Sequence, residues 1–389
     1  MAGFWQEDGR MSEKFLVENK EFLIDDAIFE ADSFVVRSTP RNYNVLWCED
    51  LKNVLDGITA RLADNPADFL LVDANIHRLY LSQYQINERQ MYILEAKEEN
   101  KNINTVLDVI DHLQQLMPSK NNMLTVIGGG ITQDIGAFAA CIYKRGMAWN
   151  FLPTTLLSMC DSCIGGKTGI NYKSGKNQFA LFSAPRQVEI CPAFLNTLQE
   201  RDIVSGYGEI LKLLITGGQK LIDMYRDFCC ADSGLPDKKY LKQLIFGALA
   251  VKKAVIEVDE FELDLRRSLN YGHTLGHAIE VVSNYEIPHG QAVALGVAAV
   301  NQLSVNNKLL DPEVNESILS LAEPLIKNID LSGFEWDKFS DLLQKDKKTE
   351  KNAFVLVFIK APGDTVFVKL QKNPDTVREL QRVIKGAVE

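Results

Sequence analysis

The chain has 389 residues, 46% hydrophobic and 24% charged, with 42 Lys and Arg against 52 Asp and Glu for a formal net charge of −10. That length exceeds one ordinary core and predicts two domains, while the acidic balance, with its basic residues scattered, excludes a general nucleic-acid footprint. No apolar run reaches the roughly 18 residues of a membrane span, and MAGFWQEDGRMSEKF lacks a signal peptide's apolar segment, so the expectation is a cytoplasmic protein with no membrane partner.

The first 40 or so residues carry weak periodicity and suggest little beyond an edge strand. DFLLVDANI (68–76), MLTVIGGG (123–130) and MAWNFLPTT (147–155) are short apolar runs ending in Asp, Gly or Pro-Thr. They alternate with helical stretches such as NINTVLDVIDHLQQL (102–116), a pattern that predicts a parallel sheet with helices on its faces. The expectation is therefore an α/β, Rossmann-like nucleotide-binding domain over residues 1–200, including an N-terminal extension. From about residue 200 the periods become helical, at 203–216, 239–258, 268–284, 289–306 and 313–327. FVLVFIK (354–360) and TVFVKL (365–370) read as a hairpin around PGD, followed by an amphipathic helix at 375–386. Residues 201–389 thus form a mostly α-helical second domain. Most of the seven cysteines, an odd number spread along the chain, are expected to be reduced and buried.

Two glycine-rich segments carry chemistry in the first half. IGGGITQDIGAF (127–138) places three glycines between an apolar strand and a helix, where exposed amides and the positive helix end suit a pyrophosphate. Only its first two glycines fit G-x-G-x-x-G, so a simple turn remains open. DAN (73–75) offers a carboxylate and an amide for ribose hydroxyls, or equally an Asx turn. DSCIGGKTGINYKSGKN (161–177) holds four glycines and three lysines, a composition able to cradle phosphate with Lys167 and Lys176 as point charges, or to form a solvated basic loop. It is no P-loop, because Asp161 stands where the first glycine is required. Cys160 and Cys163 have no second C-x-x-C and read as structural thiols.

NYGHTLGHAIEVVSNYEIPHG (270–290) holds three of the five histidines. His273 and His277 share a helical face, but Thr274 follows His273 where a zincin has its glutamate, which argues against a peptidase. His289 follows Pro288 at the start of the next helix and can turn back toward the preceding one. Glu209, on the otherwise apolar helix of GEILK, is costly to bury unless paired or metal-bound. Glu209, His273 and His289 are therefore the expected metal ligands of a site open to substrate, with His277 free to act on phosphate or protons.

These segments, with YKRG, FLNTL, DEFELDLRRSLN and KDKK, occur in an order and spacing that resembles the 3-dehydroquinate synthase family of sugar phosphate cyclases, from about residue 68 to 360. The resemblance implies NAD and Zn2+ (or Co2+) as cofactors, an active site in a cleft between two domains, a small-molecule sugar phosphate as substrate, and a homodimer. It assigns NAD contacts to Asp73, Asn75, Glu98, Lys101, Gly129, Gly130, Asp134, Thr154, Thr155, Lys167, Lys176, Phe194 and Thr197. It assigns substrate contacts to Asp161, Lys167, Asn177, Lys212, Lys252, Arg266, Asn270, His277 and Lys347 or Lys348, with Arg145 reaching a neighbouring subunit's site. The implied reaction is a phosphate-eliminating carbon-oxygen lyase step: 3-deoxy-arabino-heptulosonate 7-phosphate is transiently oxidised, loses phosphate, is re-reduced and closes by an aldol step to 3-dehydroquinate. Alternatives are relatives acting on sedoheptulose 7-phosphate or glucose 6-phosphate, a metal-dependent alcohol dehydrogenase of related fold, and a noncatalytic binding module. Gln291 and Asp202 stand where the family commonly has glutamate.

Overall fold

A computed structural model describes residues 13–173, 175–345 and 352–388. The chain divides into two compact units, one of residues 31–199 and one of residues 200–389 joined by the opening segment up to Glu30.

The first unit is built on a seven-stranded sheet in the order Ser33–Val36, Tyr43–Trp47, Gln187–Ile190, Ala148–Pro153, Met123–Gly128, Phe69–Asp73, Met91–Leu94. Every neighbouring pair is parallel except the first, where the edge strand runs antiparallel. The central strands are buried along almost their whole length. This is why they appear in the sequence as continuous apolar runs and do not alternate. Phe69–Asp73 has Met91–Leu94 on one side and Met123–Gly128 on the other, so the chain reverses its direction of travel across the sheet there. In open parallel sheets the crevice outside the carboxyl ends at such a reversal is where ligands bind. The expected 102–116 helix is Ile103–Gln114, and its N-cap Asn102 accepts from the amides of Asn104 and Thr105.

The second unit is mostly helical, with Glu200–Gly217, Leu241–Ile256, His289–Asn306 and Pro312–Ile326 close to the expected spans. Gln219–Phe228 and Trp336–Lys345 are additional helices. The opening segment departs from expectation: it belongs with this unit and not with the nucleotide half. Lys14–Val17 pairs in parallel with Asp364–Gln371 and antiparallel with Lys20–Leu23, extending the hairpin Ala353–Ala361/Asp364–Gln371 to four strands. An open hairpin edge leaves amides and carbonyls unpaired, and this strand covers it while burying Phe15 and Val17.

One expected helix is broken. Residues 268–284 read as a single helical period, but Leu265–Asn270 forms a 3-10 helix, Gly272 adopts a left-handed φ of +77°, and the α-helix runs only from His273 to Val282. A Cβ at Gly272 would lie 2.8 Å from the Val293 carbonyl, so the turn requires glycine both for its conformation and for its room. Arg266 and Asn270 consequently do not sit on successive turns of the helix that carries His273.

Candidate active site

In the helical unit, a close backbone crossing brings the metal-type side chains together. Helix Glu200–Gly217 is buried from Ser205 to its end. At its crossing with His289–Asn306, a Cβ on Gly290 would lie 1.7 Å from the Ser205 carbonyl oxygen, and one on Gly208 2.1 Å from that of Gly290. Side chains at either position would force the helices apart. Glu209 follows one of these glycines and His289 precedes the other, which places the carboxylate and the imidazole face to face. Pro288, extended at φ −60° and ψ 147°, starts the helix with His289 as its first residue.

Glu209 is fully buried, with Oε1 3.4 Å from His273 Nε2 and 3.3 Å from His289 Nε2. No hydrogen bond satisfies that oxygen. The other ring nitrogens are occupied: His273 Nδ1 lies 3.2 Å from the Tyr271 carbonyl and His289 Nδ1 3.2 Å from Glu280 Oε2. If both Nδ1 atoms donate, both Nε2 atoms present lone pairs toward a carboxylate oxygen. Three converging electron donors with no proton between them fit a cation. His277, the exposed histidine, brings a ring nitrogen into the same group, and one nitrogen from each of His273, His277 and His289 lies within 4.8 Å of the others. Among the described residues this is the one His, Cys, Asp and Glu group with metal-holding spacing.

The electrostatics also call for positive charge. Burial alone would raise the Glu209 carboxyl, but Lys212 and the two imidazoles outweigh it and hold it well below the usual carboxylate range. Burial and the Lys212 ammonium push His273 well below 6.5. His289 goes the other way: burial opposes its charge, yet Glu209 and Glu280 hold it up to about 10. Without an ion one proton supplies the charge, and a divalent cation would displace it.

The expected substrate residues are distributed as follows. Lys212 is 2% exposed, and its Nζ lies 2.7 Å from Glu209 Oε2, so it neutralises the candidate ligand. Lys252 is buried on helix Leu241–Ile256. Arg266 is buried and donates through Nη1 to the Glu260 carbonyl. Asn270 donates to Glu262 Oε1 at 2.8 Å beside a cavity of about 350 Å³ lined by Glu262, Arg267, Thr274, Val355 and Phe367. Lys347 and Lys348 lie outside the described residues. Two residues of this unit were not anticipated. Glu280 Oε2 meets His289 Nδ1, and Asp259 accepts from the amides of Leu263, Asp264 and Arg266, which folds the segment that presents Arg266. A buried acid within a helical period is the signal for Glu280; Asp259 sits in a run of acidic residues and has no such signal.

In the sheet unit the expected NAD residues gather at the carboxyl edge. Val72 pairs with Ile127 and Gly128 with Pro153, so Asp73, Gly128 and Thr154 end or follow three adjacent strands. Gly129 caps helix Gly130–Ile142, and a Cβ there would meet Thr155 Cγ2 at 2.9 Å, leaving backbone amides accessible where a side chain would stand. Asp73 Oδ1 accepts from the amides of Asn75 and Ile76, so the Asx turn is formed, and Asn75 accepts from Arg78. Phe194 is buried edge-on to Tyr80, whose hydroxyl is 2.7 Å from Thr197 Oγ1.

The lysine-rich segment is not a loop throughout. Asp161 lies in a helical turn, Ser158–Ser162, and Lys167–Tyr172 pairs with Gly175–Phe182 as a hairpin with an irregular register near Gly175. Lys167, at its start, is exposed. Lys101 Nζ bridges Asp134 Oδ2 at 2.5 Å and Asn177 Oδ1 at 2.8 Å, and Lys176 Nζ lies 3.6 Å from Glu98 Oε1. Asp134 is raised by burial against the opposing pull of Lys101. Asn177 is thereby tied to two residues of the NAD set. Arg145 is exposed, with a left-handed φ of +64°.

Two family models match consecutive parts of the chain, the 3-dehydroquinate synthase N-terminal domain over residues 91–205 and its C-terminal domain over 206–349. A 3-dehydroquinate synthase of Pelagibacter ubique (strain HTCC1062) is 35% identical over 84% of this chain and 92% of its own. The chain belongs to the 3-dehydroquinate synthase family. A second member, from Streptococcus pyogenes serotype M49 (strain NZ131), is 31% identical over 87% of this chain and 95% of its own. Among solved structures, 2-deoxy-scyllo-inosose synthase complexed with carbaglucose-6-phosphate, NAD+ and Co2+ superimposes with a TM-score of 0.78 at 21% identity, over 91% of this chain and 99% of its own. That last likeness bears on the fold: a parallel-sheet half and a helical half are shared by these cyclases. Gln291 donates to the Leu325 carbonyl at 2.8 Å, a bond that a glutamate carboxylate would not make.

Proposed function

We propose that this family member is a 3-dehydroquinate synthase, converting 3-deoxy-arabino-heptulosonate 7-phosphate to 3-dehydroquinate and phosphate, as a carbon-oxygen lyase of aromatic amino acid biosynthesis through the shikimate pathway. The observation that carries the reading is the convergence of Glu209 Oε1, His273 Nε2 and His289 Nε2 on one buried point, with both Nδ1 atoms turned to acceptors of their own. NAD and a zinc or cobalt ion, when bound, would supply a hydride acceptor and a Lewis acid for reversible oxidation of one substrate hydroxyl.

The protein's own residues have separable tasks. Glu209, His273 and His289 hold the ion, and Lys212 offsets the buried charge of Glu209. The amides after Gly128 and the start of helix Gly130–Ile142 receive the cofactor's pyrophosphate, while Asp73 and Asn75 face its ribose at the sheet reversal. Lys101, ion-paired to Asp134, and Lys176 near Glu98 hold the Lys167–Phe182 hairpin in the conformation that presents Asn177. Lys167, Asn177, His277 and one lysine of KDKK stabilise the departing phosphate, whose own oxygen accepts the proton lost in elimination. Arg266 and Lys252 hold the substrate carboxylate with Asn270 beside them. Asp161 orients a substrate hydroxyl. We further propose a cytoplasmic homodimer in which Arg145 serves the partner's site.

Phosphate release tested against the absorbance of NADH separates this reading from its rivals. On addition of the heptulosonate phosphate, phosphate is expected to appear with no net NADH, because the same cofactor takes and returns the hydride. Accumulating NADH would indicate an alcohol dehydrogenase of related fold, and absence of both signals a noncatalytic binding protein.

A further inference from the structure

The two imidazoles of the metal-type cluster are anchored by different chemistry. His273 Nδ1 meets a neutral acceptor, the Tyr271 carbonyl, at 3.2 Å. His289 Nδ1 meets a carboxylate, Glu280 Oε2, also at 3.2 Å. Glu280 is buried on the last full turn of helix His273–Val282, three residues after His277 and so on the same face. Its backbone is held in place as well: the Glu280 carbonyl accepts from Ser283 Oγ at 3.0 Å and from the Tyr285 amide at 2.9 Å, where the helix ends. A buried carboxylate costs several kcal/mol in desolvation unless a donor repays it, so its position here has to be explained by what it contacts.

We propose that Glu280 is a positioning residue of the metal centre, fixing the Nδ1–H tautomer and ring orientation of His289 and strengthening Nε2 as an electron donor to the ion. This rests on Glu209, His273 and His289 being the metal ligands. A carboxylate that accepts the Nδ1 proton of an imidazole polarises the ring and increases the electron density at Nε2; a backbone carbonyl does so less. His289 is therefore the stronger donor of the two histidines, and the ion's affinity depends on a residue that does not touch it. Losing such an outer partner typically weakens metal affinity about 10- to 100-fold.

The test reads ion affinity and not turnover. Full-length parent, Glu280→Gln, Glu280→Asp and His289→Ala proteins are stripped with a chelator and titrated with Co2+ through its visible absorption, and with Zn2+ against a chromophoric chelator. The parent is expected to bind one ion per chain and His289→Ala to lose it. Glu280→Gln should bind about 10- to 100-fold more weakly with shifted cobalt bands, and Glu280→Asp, which keeps the charge at shorter reach, should fall between. Parental affinity and band positions in Glu280→Gln, alongside loss of the ion from His289→Ala, would overturn the positioning role and leave the ligand set standing. Binding as tight as the parent's in His289→Ala would overturn the ligand set, and this proposal with it. Urea unfolding of the ion-free proteins adds a readout: a lower midpoint for Glu280→Gln with unchanged affinity assigns Glu280 a structural role only and overturns the proposal. Should Glu280→Gln not fold, Glu280→Asp decides alone, weakened affinity supporting the role and parental affinity contradicting it.

Discussion

Replacing His273 by alanine should strip the protein of its divalent ion and reduce turnover to background, and the Glu209→Ala, His273→Ala double variant should retain no metal at all. The single variant removes one and the double variant two of three candidate ligand atoms, Glu209 Oε1 lying within 3.4 Å of both Nε2 atoms. Loss of a direct ligand exceeds the roughly 10- to 100-fold effect of losing an outer partner. His277→Ala is the internal control. Its ring lies in the same three-histidine cluster but is exposed, and it stands outside the proposed Glu209, His273, His289 ligand set. That variant should keep its ion and lose rate. Metal analysis by mass spectrometry on dialysed protein checks both: full occupancy in the double variant contradicts the assignment, and loss of metal from His277→Ala equal to that from His273→Ala would make His277 a ligand.

Changing Arg266 to lysine is expected to lower turnover of the heptulosonate phosphate by about 30-fold or more, the rate equivalent of roughly 2 kcal/mol for a buried charge-assisted contact felt in the transition state. Lysine keeps the charge and loses the planar fork that grips a carboxylate with two parallel bonds. The fork is fixed before substrate arrives, because the Arg266 amide is bound by Asp259 Oδ2 at 2.9 Å and its Nη1 by the Glu260 carbonyl. Initial rates with saturating substrate, together with metal content and a far-UV spectrum, check the prediction. A folded, metal-loaded Arg266→Lys protein with parental rate would remove Arg266 from the carboxylate site.

The features legible in the sequence were those in which one local pattern decides the structure. Buried parallel strands appear as apolar runs, so the runs at 68–76 and 123–130 locate Phe69–Asp73 and Met123–Gly128 to within three residues at each end. Glu209 stood out because a single carboxylate in an apolar helix needs a partner, and the partners are Lys212 and the two histidines. What local periodicity could not reveal depends on contacts between distant segments. The break at Gly272 is imposed by the nearness of Val293, some twenty positions further along, and hydrophobic spacing carries straight through it. The opening strand Lys14–Val17 finds its place only against Asp364–Gln371, from the far end of the chain. The hairpin at 167–182 is hidden because glycine and lysine composition suggests a loop, and its second strand, Gly175–Phe182, buries no residue and so needs no apolar alternation.

The central claim, that this chain is a cyclase for a carboxylated seven-carbon sugar phosphate, is tested most directly by product analysis of the parent protein. Metal-loaded protein with NAD is incubated in parallel with 3-deoxy-arabino-heptulosonate 7-phosphate, sedoheptulose 7-phosphate and glucose 6-phosphate, and phosphate and organic product are quantified together. The account predicts equal amounts of phosphate and 3-dehydroquinate from the first substrate, and little phosphate from the two that lack the carboxylate proposed to bind Arg266. Faster phosphate release from either carboxylate-free sugar, with a cyclitol ketone as the product, would contradict it and place the chain with the cyclitol-forming relatives.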